Sequence, residues 1–339
     1  MLAVIRADAS TSIGSGHVMR CLTLAHRLKK EKNAKVVFVM RVLPGNLIGV
    51  VEKQGFEVLK LPPANQKYSL SGYGLWLTVP MDVDAQQTIE VLQHYLQEHG
   101  CDSVDILIID SYALDEQWEQ ELRSYCNKIM VIDDLANRRH DCDILLDQNF
   151  YLNKDVRYAG LVPEHCKMLL GPEHALLREE FREAKKHLRK RDGTIKNILV
   201  FYGGSDLTNE TEKAIKALVQ LHDEGYSFTA DIITGLSNSR RGKIEKICNK
   251  YHFLHYYCQV SNMAEFMNKA DLMLGAGGST TWERLYMELP ALVTAVAENQ
   301  IQGCEDCSQA GVIDYLGESE KVTVDVIVNA LLAQLYNTN

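Results

Sequence analysis

A histidine just past a glycine-flanked turn is the first residue of this chain whose type and place could do chemistry. In Ile13-Gly14-Ser15-Gly16-His17 a short apolar strand, Leu2 to Ile5, hands over to a helix with apolar Val18, Leu22, Ala25 and Leu28. Gly14 and Gly16 let the backbone approach a ligand closely, and the helix start offers N–H groups that lack intrahelical partners. Imidazole is the side chain whose ordinary titration range brackets neutral pH, so His17 there is a candidate for catalysis or for ligand binding. Arg20, on the same helix face, could steady an anionic group. The plainer alternative is a helix-start turn whose histidine caps or is solvated.

Two further turns repeat this logic. Phe201-Tyr202-Gly203-Gly204-Ser205-Asp206 is a strand end, two glycines, a hydroxyl and then a helix. It lacks the Gly-Lys-Ser/Thr of a Walker loop and the spacing of a dinucleotide fingerprint, so Gly203, Gly204 and Ser205 are candidates without a named ligand. The richest segment runs Leu274-Gly275-Ala276-Gly277-Gly278-Ser279-Thr280-Thr281-Trp282-Glu283. A glycine-rich strand end opens a helix here, so Gly278, Ser279 and Thr280 can receive a diphosphate and Glu283, one turn in, ribose hydroxyls. Asn299 and Gln300, at the next strand end, could hydrogen-bond a sugar. Asp110 and Tyr112 leave the strand Leu107 to Ile109 and are further candidates.

Other polar groups invite blander readings. Asp133 and Asp134 are adjacent at a strand end rather than spaced as metal ligands, which favours capping. Cys304 and Cys307 read as two thiols on a helix face rather than a redox pair, and His94, His99 and His187 as solvated. No metal site is expected.

These residues need a scaffold that delivers strand ends to a ligand, and the periodicity supplies one. Apolar strands alternate with amphipathic helices from residue 2 to about 170, and again from Asn197 onward. The first series holds strands at 35–40, 56–61, 105–109 and 128–132, with helices at 46–54, 84–99 and 116–126; the second ends in a helix from Val324. Continuous apolar strands argue for parallel sheets covered on both faces, which bind ligands beyond the carboxyl ends of their strands. The charged stretch Arg178 to Asp192 marks the boundary, giving domains 1–192 and 193–339. Pro62 to Pro80 reads as a loop of unassigned role.

Bulk properties narrow the class. A chain of 339 residues exceeds what one core usually supports, and its 46% hydrophobic and 24% charged residues are those of an ordinary globular protein. A net charge of −9 argues against nucleic acid and anionic membranes as partners. Nine scattered cysteines show neither a disulfide framework nor a zinc pattern, no apolar run reaches the ~20 residues of a membrane helix, and the N-terminus is not that of a signal peptide. The expectation is a cytoplasmic protein with reduced thiols.

At this point a resemblance enters. The glycine-rich helix start, Glu283, Leu289-Pro290-Ala291 and Asn299-Gln300 resemble the nucleotide-sugar half of GT-B proteins such as the lipid II N-acetylglucosaminyltransferase. Arg6-x-Asp8, Ile13-Gly14-x-Gly16-His17-x-x-Arg20-Cys21-Leu22, Asp110-Ser111-Tyr112, Asp133-Asp134-Leu135 and Ala175-Leu176-Leu177-Arg178 are similar to one family more specifically. That family is the UDP-2,4-diacetamido-2,4,6-trideoxy-β-L-altropyranose hydrolases of pseudaminic acid biosynthesis, with relatives in spore-coat polysaccharide synthesis.

The resemblance implies a GT-B-like α/β fold, two Rossmann-like doubly wound parallel-sheet domains facing across a cleft. It further implies removal of UDP from C1 by water with inversion, without metal or cofactor, with His17 as base. Gly203, Gly204 and Ser205 would border the diphosphate, Glu283 would bind the ribose and Asn299 the sugar, with Arg178 among the substrate-binding residues. The substrate is a small UDP-sugar, and neighbouring pathway enzymes are the only macromolecular contact implied. Two rivals remain: a GT-B glycosyltransferase, which needs an acceptor surface larger than the short apolar 42–48 segment, and a non-catalytic nucleotide-sugar binding subunit, against which His17 argues.

Overall fold

The computed structural model describes residues 1–336, which divide into two compact units: 1–149 with 153–176, and 150–152 with the described residues from 177 onward. The first unit therefore ends at Leu176, before the charged run that suggests a boundary at 192. The reason is local: Phe181, on the helix Glu179–Lys185, is fully buried, and Arg189 and Arg191 donate to the carbonyls of Met267, Asn268, Ala270 and Met287 within the second unit. Charge density marks a linker only where the charges find no partner.

The first unit is a seven-stranded sheet. Its strands are β1 (Leu2–Ala7), β2 (Lys35–Arg41), β3 (Glu57–Leu61), β4 (Ile106–Asp110), β5 (Ile129–Ile132), β6 (Ile144–Asp147) and β7 (Lys167–Leu170), in the order β3-β2-β1-β4-β5-β6-β7. Every pairing is parallel. The inner strands β1, β4 and β5 read as near-continuous apolar runs because side chains of both faces are covered, by one cluster around Leu107, Trp118 and Leu92 and by another around Ile5, Val18 and Phe38. The helices that cover them include α1 (Gly16–Lys32), α2 (Ile48–Lys53), α3 (Gly74–Leu77), α4 (Met81–His99) and α5 (Glu116–Leu122). Helix α1 buries Val18, Cys21, Leu22 and Ala25 and ends in Lys29, Lys30 and Lys32, charges that favour the negative end of its dipole.

The second unit is a six-stranded parallel sheet of β8 (Asn197–Phe201), β9 (Thr229–Thr234), β10 (Leu254–Cys258), β11 (Leu272–Ala276), β12 (Ala291–Ala295) and β13 (Asp314–Glu318), ordered β10-β9-β8-β11-β12-β13. β13 escapes a periodicity reading because Asp-Tyr-Leu-Gly-Glu has no apolar run. It is an edge strand, half-buried, and joins β12 through a register shift at Val293/Thr294. Pairing rather than composition makes it a strand.

Both sheets reverse strand order at one point, beside β1 in the first and beside β8 in the second. Such a switch point opens a crevice at the carboxyl ends of the two strands that flank it. The loops leaving β1 and β4, and those leaving β8 and β11, are thereby set side by side. They carry His17 and Asp110 in one unit, and Gly203 to Ser205 and Gly277 to Thr280 in the other.

Candidate active site

In the first unit Ala7 of β1 pairs in register with Asp110 of β4, so the last residues of both strands reach the switch point together. The chain after β1 folds into a tight turn: Gly14 donates its N–H to the Ser10 carbonyl at 2.9 Å, and the Ser10 hydroxyl accepts from the N–H groups of Ser12 and Ile13. Gly14 has φ +82°, a conformation that side chains resist, and Gly16, the first residue of α1, faces open space. This turn brings His17 to the end of β4.

Asp110 collects three short contacts. Its Oδ1 lies 2.6 Å from His17 Nδ1 and accepts from Arg20 Nη2 at 2.7 Å, and its Oδ2 accepts from Arg20 Nε at 2.6 Å. Burial by itself raises the Asp110 carboxyl, but Arg20 and then His17 outweigh it and hold Asp110 well below the usual carboxylate range. An acceptor ionised at neutral pH beside Nδ1 favours the tautomer that carries its proton there and leaves Nε2 as the basic nitrogen.

The carboxylate is itself held. Arg20 reaches Asp134 at 3.4 Å, and Asp134 accepts from the Tyr112 hydroxyl at 2.5 Å and from the Asn149 amide at 3.2 Å. Burial and then Asp134 push the Tyr112 phenol well up, so it stays a donor. The Tyr112 ring meets the edge of the imidazole at 4.7 Å between centroids. Arg20 and Tyr112 are thus both engaged beside the histidine: the guanidinium bonds two carboxylates and the phenol one, around His17 and Asp110.

The second unit brings its glycine-rich turns together in the same way. Gly203 has φ +88°, and Asp206 turns its carboxylate onto the N–H groups of Glu210 and Thr211, at 2.9 and 3.0 Å, capping the helix Glu210–Asp223. That helix start is filled by its own aspartate, and the backbone of Gly203, Gly204 and Ser205 lies half-buried at the strand end before it. Ser279 begins the helix Thr280–Tyr286 and makes no side-chain cap, and Gly278 faces the Gln300 amide. Gln300 accepts from the Val296 N–H at 3.1 Å, so its carbonyl oxygen ties the β12 turn rather than reaching outward. Asn299 lies in the first turn of the helix Glu298–Gln309, half-buried.

Glu283 is nearly buried, and Arg178 holds it with two contacts, Nε at 2.8 Å and Nη2 at 3.2 Å; Arg178 also meets Glu180 at 2.6 Å. Burial raises the Glu283 carboxyl and Arg178 opposes that rise. The structure therefore joins two candidates that lie 105 positions apart.

Other polar and aromatic residues take their places around these two turns. Arg6 is fully buried between Asp8 at 2.7 Å and Asp84 at 2.8 Å, and Arg41 shares Asp84 at 2.7 Å, so Arg6-x-Asp8 is half of a buried ion network completed by α4. Trp76, in the segment 62–80, stacks on Tyr112 at 5.5 Å and meets His17 at 5.8 Å. Gly235 packs against the Gly204 backbone so closely that a Cβ would lie 2.6 Å from its Cα. Asp133, as expected, caps locally, accepting from the N–H groups of Leu135 and Ala136 and from Arg138. Cys304 and Cys307 are buried, and burial raises their thiols to about 12 and about 11. Among the described residues no group of three or more His, Cys, Asp or Glu is arranged to hold a metal ion, and no helix is long and apolar enough to cross a membrane.

No family model matches the chain. An uncharacterised protein of Methanocaldococcus jannaschii is 26% identical over 95% of this chain, which spans 59% of that protein's length. The UDP-2,4-diacetamido-2,4,6-trideoxy-beta-L-altropyranose hydrolase of Campylobacter jejuni is 26% identical over 88% of this chain and 93% of its own. The spore coat polysaccharide biosynthesis protein SpsG of Bacillus subtilis is 24% identical over 70% of each. Among solved structures, MurG of Acinetobacter baumannii covers 99% of this chain and 91% of its own with a TM-score of 0.62 at 13% identity. By sequence the chain is a relative of the Campylobacter hydrolase and of SpsG, and by architecture it is a two-domain α/β protein of the GT-B type.

Proposed function

We propose that the chain processes a UDP-sugar in surface polysaccharide or glycan biosynthesis, and that its reaction is hydrolysis of UDP-2,4-diacetamido-2,4,6-trideoxy-β-L-altropyranose at C1. The observation that carries the reaction type is the His17–Asp110 contact at 2.6 Å, at the switch point of the first unit. Asp110 keeps the proton on Nδ1, so Nε2 takes a proton from water as the water oxygen bonds to C1. The bond from C1 to the UDP oxygen breaks on the opposite side, and UDP leaves with the electron pair, so the configuration inverts.

In this reading the second unit holds the nucleotide. The turns Gly203 to Ser205 and Gly278 to Thr280 receive the diphosphate on backbone N–H groups, Glu283 with Arg178 meets the ribose, and Asn299 meets the sugar. The leaving group's charge is met there by backbone dipoles, and water activation is the task that falls to His17. The relatives' names support this reading, and the Campylobacter hydrolase matches over nearly its whole length.

UDP release tests it. Native protein, with EDTA present and no acceptor, is given the diacetamido UDP-sugar or UDP-N-acetylglucosamine, beside a His17→Ala variant. Release from the first sugar alone, lost in the variant, is the expected result. Tight UDP binding without turnover would instead indicate a binding module, and turnover that requires an added acceptor a glycosyltransferase.

A further inference from the structure

The hollow that His17 faces is small and has two unlike walls. Its volume is about 10 Å³, and a space of roughly 10–15 Å³ is what one water needs. Asp8, Asp110, Ser111 and His17 form the polar side; Ile13, Trp76 and Leu77 form the apolar side. Two of those three apolar residues come from the single helical turn Gly74–Leu77, within a segment whose sequence assigned it no role.

That turn is held by packing rather than lying loose over the site. Leu77 is buried in the main core of the unit, with Val79 two residues on. Trp76 stacks on Tyr112 with 29° between the rings, and Tyr73 meets both of them edge-on, at 4.9 and 5.2 Å. Tyr112 in turn is pinned through its hydroxyl to Asp134. A wall of interlocked rings in a packed unit resists displacement, because opening it sacrifices several aromatic contacts at once.

We propose that Trp76 and Leu77 are selectivity-determining residues: they size the nucleophile's seat beside His17 to water and exclude alcohols, committing the sugar to hydrolysis rather than to transfer. The inference rests on the hydrolase reading above and adds to it the choice of nucleophile. Water fills the hollow within reach of the imidazole, while an alcohol brings a carbon that meets the Trp76 face. Where an alcohol does enter, its oxygen bonds to C1, its proton passes to His17 Nε2, UDP departs with the electron pair, and the product is an alkyl glycoside in place of the free sugar. No other reactant is required.

The test is a partition measured inside one reaction. Native protein, Trp76→Ala, Trp76→Phe and Leu77→Ala turn over the diacetamido UDP-sugar in buffered aqueous methanol, with UDP release counting total turnover and mass spectrometry giving the ratio of methyl glycoside to free sugar. That ratio is independent of how much enzyme is folded or how fast it works. Native protein is expected to give almost only free sugar, and Trp76→Ala to raise the ratio by about tenfold or more, the scale on which a pocket discriminates one extra carbon. Trp76→Phe should fall between the two, and Leu77→Ala should shift in the same direction. Equal ratios in native protein and Trp76→Ala, with UDP released by both, overturn the inference and leave the hydrolase reading intact. Variants that show native circular dichroism but release no UDP also overturn it, since a filter is dispensable for turnover. A native protein that releases no UDP defeats the hydrolase reading itself, and the inference with it.

Discussion

His17 Nδ1 and Asp110 Oδ1 stand 2.6 Å apart although 93 positions separate them, and Arg20 grips the same carboxylate on both oxygens. An ionised, immobilised partner at one ring nitrogen makes the other a directed base. Asp110→Asn keeps the size of the side chain and removes its charge, so the tautomer is no longer enforced. UDP release is expected to fall by about a hundred- to ten-thousand-fold, as positioned acid–base groups usually contribute. UDP affinity measured by calorimetry should change little, since Asp110 lies in the first unit and the proposed nucleotide site in the second.

Acid should unfold the first unit through a named set of carboxylates. Asp110, Asp84 and Asp133 are each held below their ordinary range, burial being outweighed in turn by Arg20, Arg6 and Arg138. A depressed folded value stabilises above the unfolded value of about 4 and loses that contribution as pH falls below it. Thermal melts taken from pH 6 down to pH 2 should show a steep decline, shallower in Asp110→Asn.

Asp147 works in the opposite sense. Burial, then Asp134, pushes its carboxyl up to about 7, against the Asn149 N–H, Arg157 and Tyr158. Because the folded state binds this proton more tightly than the unfolded state, stability falls as pH rises from about 4 to 7 and stays lowered above that. Asp147→Asn should therefore raise the melting temperature more at pH 8 than at pH 5, a difference read directly from paired melts.

The buried ion network is vulnerable to the loss of its shared member. Asp84 accepts from Arg6, Arg41 and the Trp118 indole N–H, all of them buried. Asp84→Ala leaves two buried guanidinium groups short of an acceptor and should cost about 3–5 kcal/mol, measured by urea unfolding. Asp8, which borders the hollow beside His17, would lose the frame that holds Arg6, so UDP release should fall as well.

In the second unit Gly235 sets the position of the turn proposed to receive the diphosphate. A Cβ there would lie 2.5 Å from the Gly204 carbonyl oxygen, backbone that can yield only by moving the turn. Gly235→Ala is expected to weaken UDP binding by about tenfold and to lower stability by about 1–3 kcal/mol, the usual cost of overpacking. Unchanged UDP affinity in calorimetry would release Gly203 to Ser205 from the proposed site.

The sequence by itself determined the class of fold and the local chemistry of each turn. Strand period, continuous apolar runs and glycine-rich helix starts are local properties, and they carried the two parallel sheets, the turn before His17 and the turn before Glu283. Where periodicity was weak it missed: β13 is made a strand by pairing, and the charged 177–192 run joins the second unit because its arginines find carbonyls there. Only the tertiary structure decided what each polar side chain is for. Arg20 and Tyr112 were legible as candidates, yet the strand order that sets β1 beside β4 turns them toward Asp110 and Asp134. Trp76 had no signal in its own segment, since a ring acquires a role here from the neighbours that long-range packing brings to it. Partnership across 78 to 105 positions, as in Arg6 with Asp84 or Arg178 with Glu283, is a property of the folded chain and of no window along it.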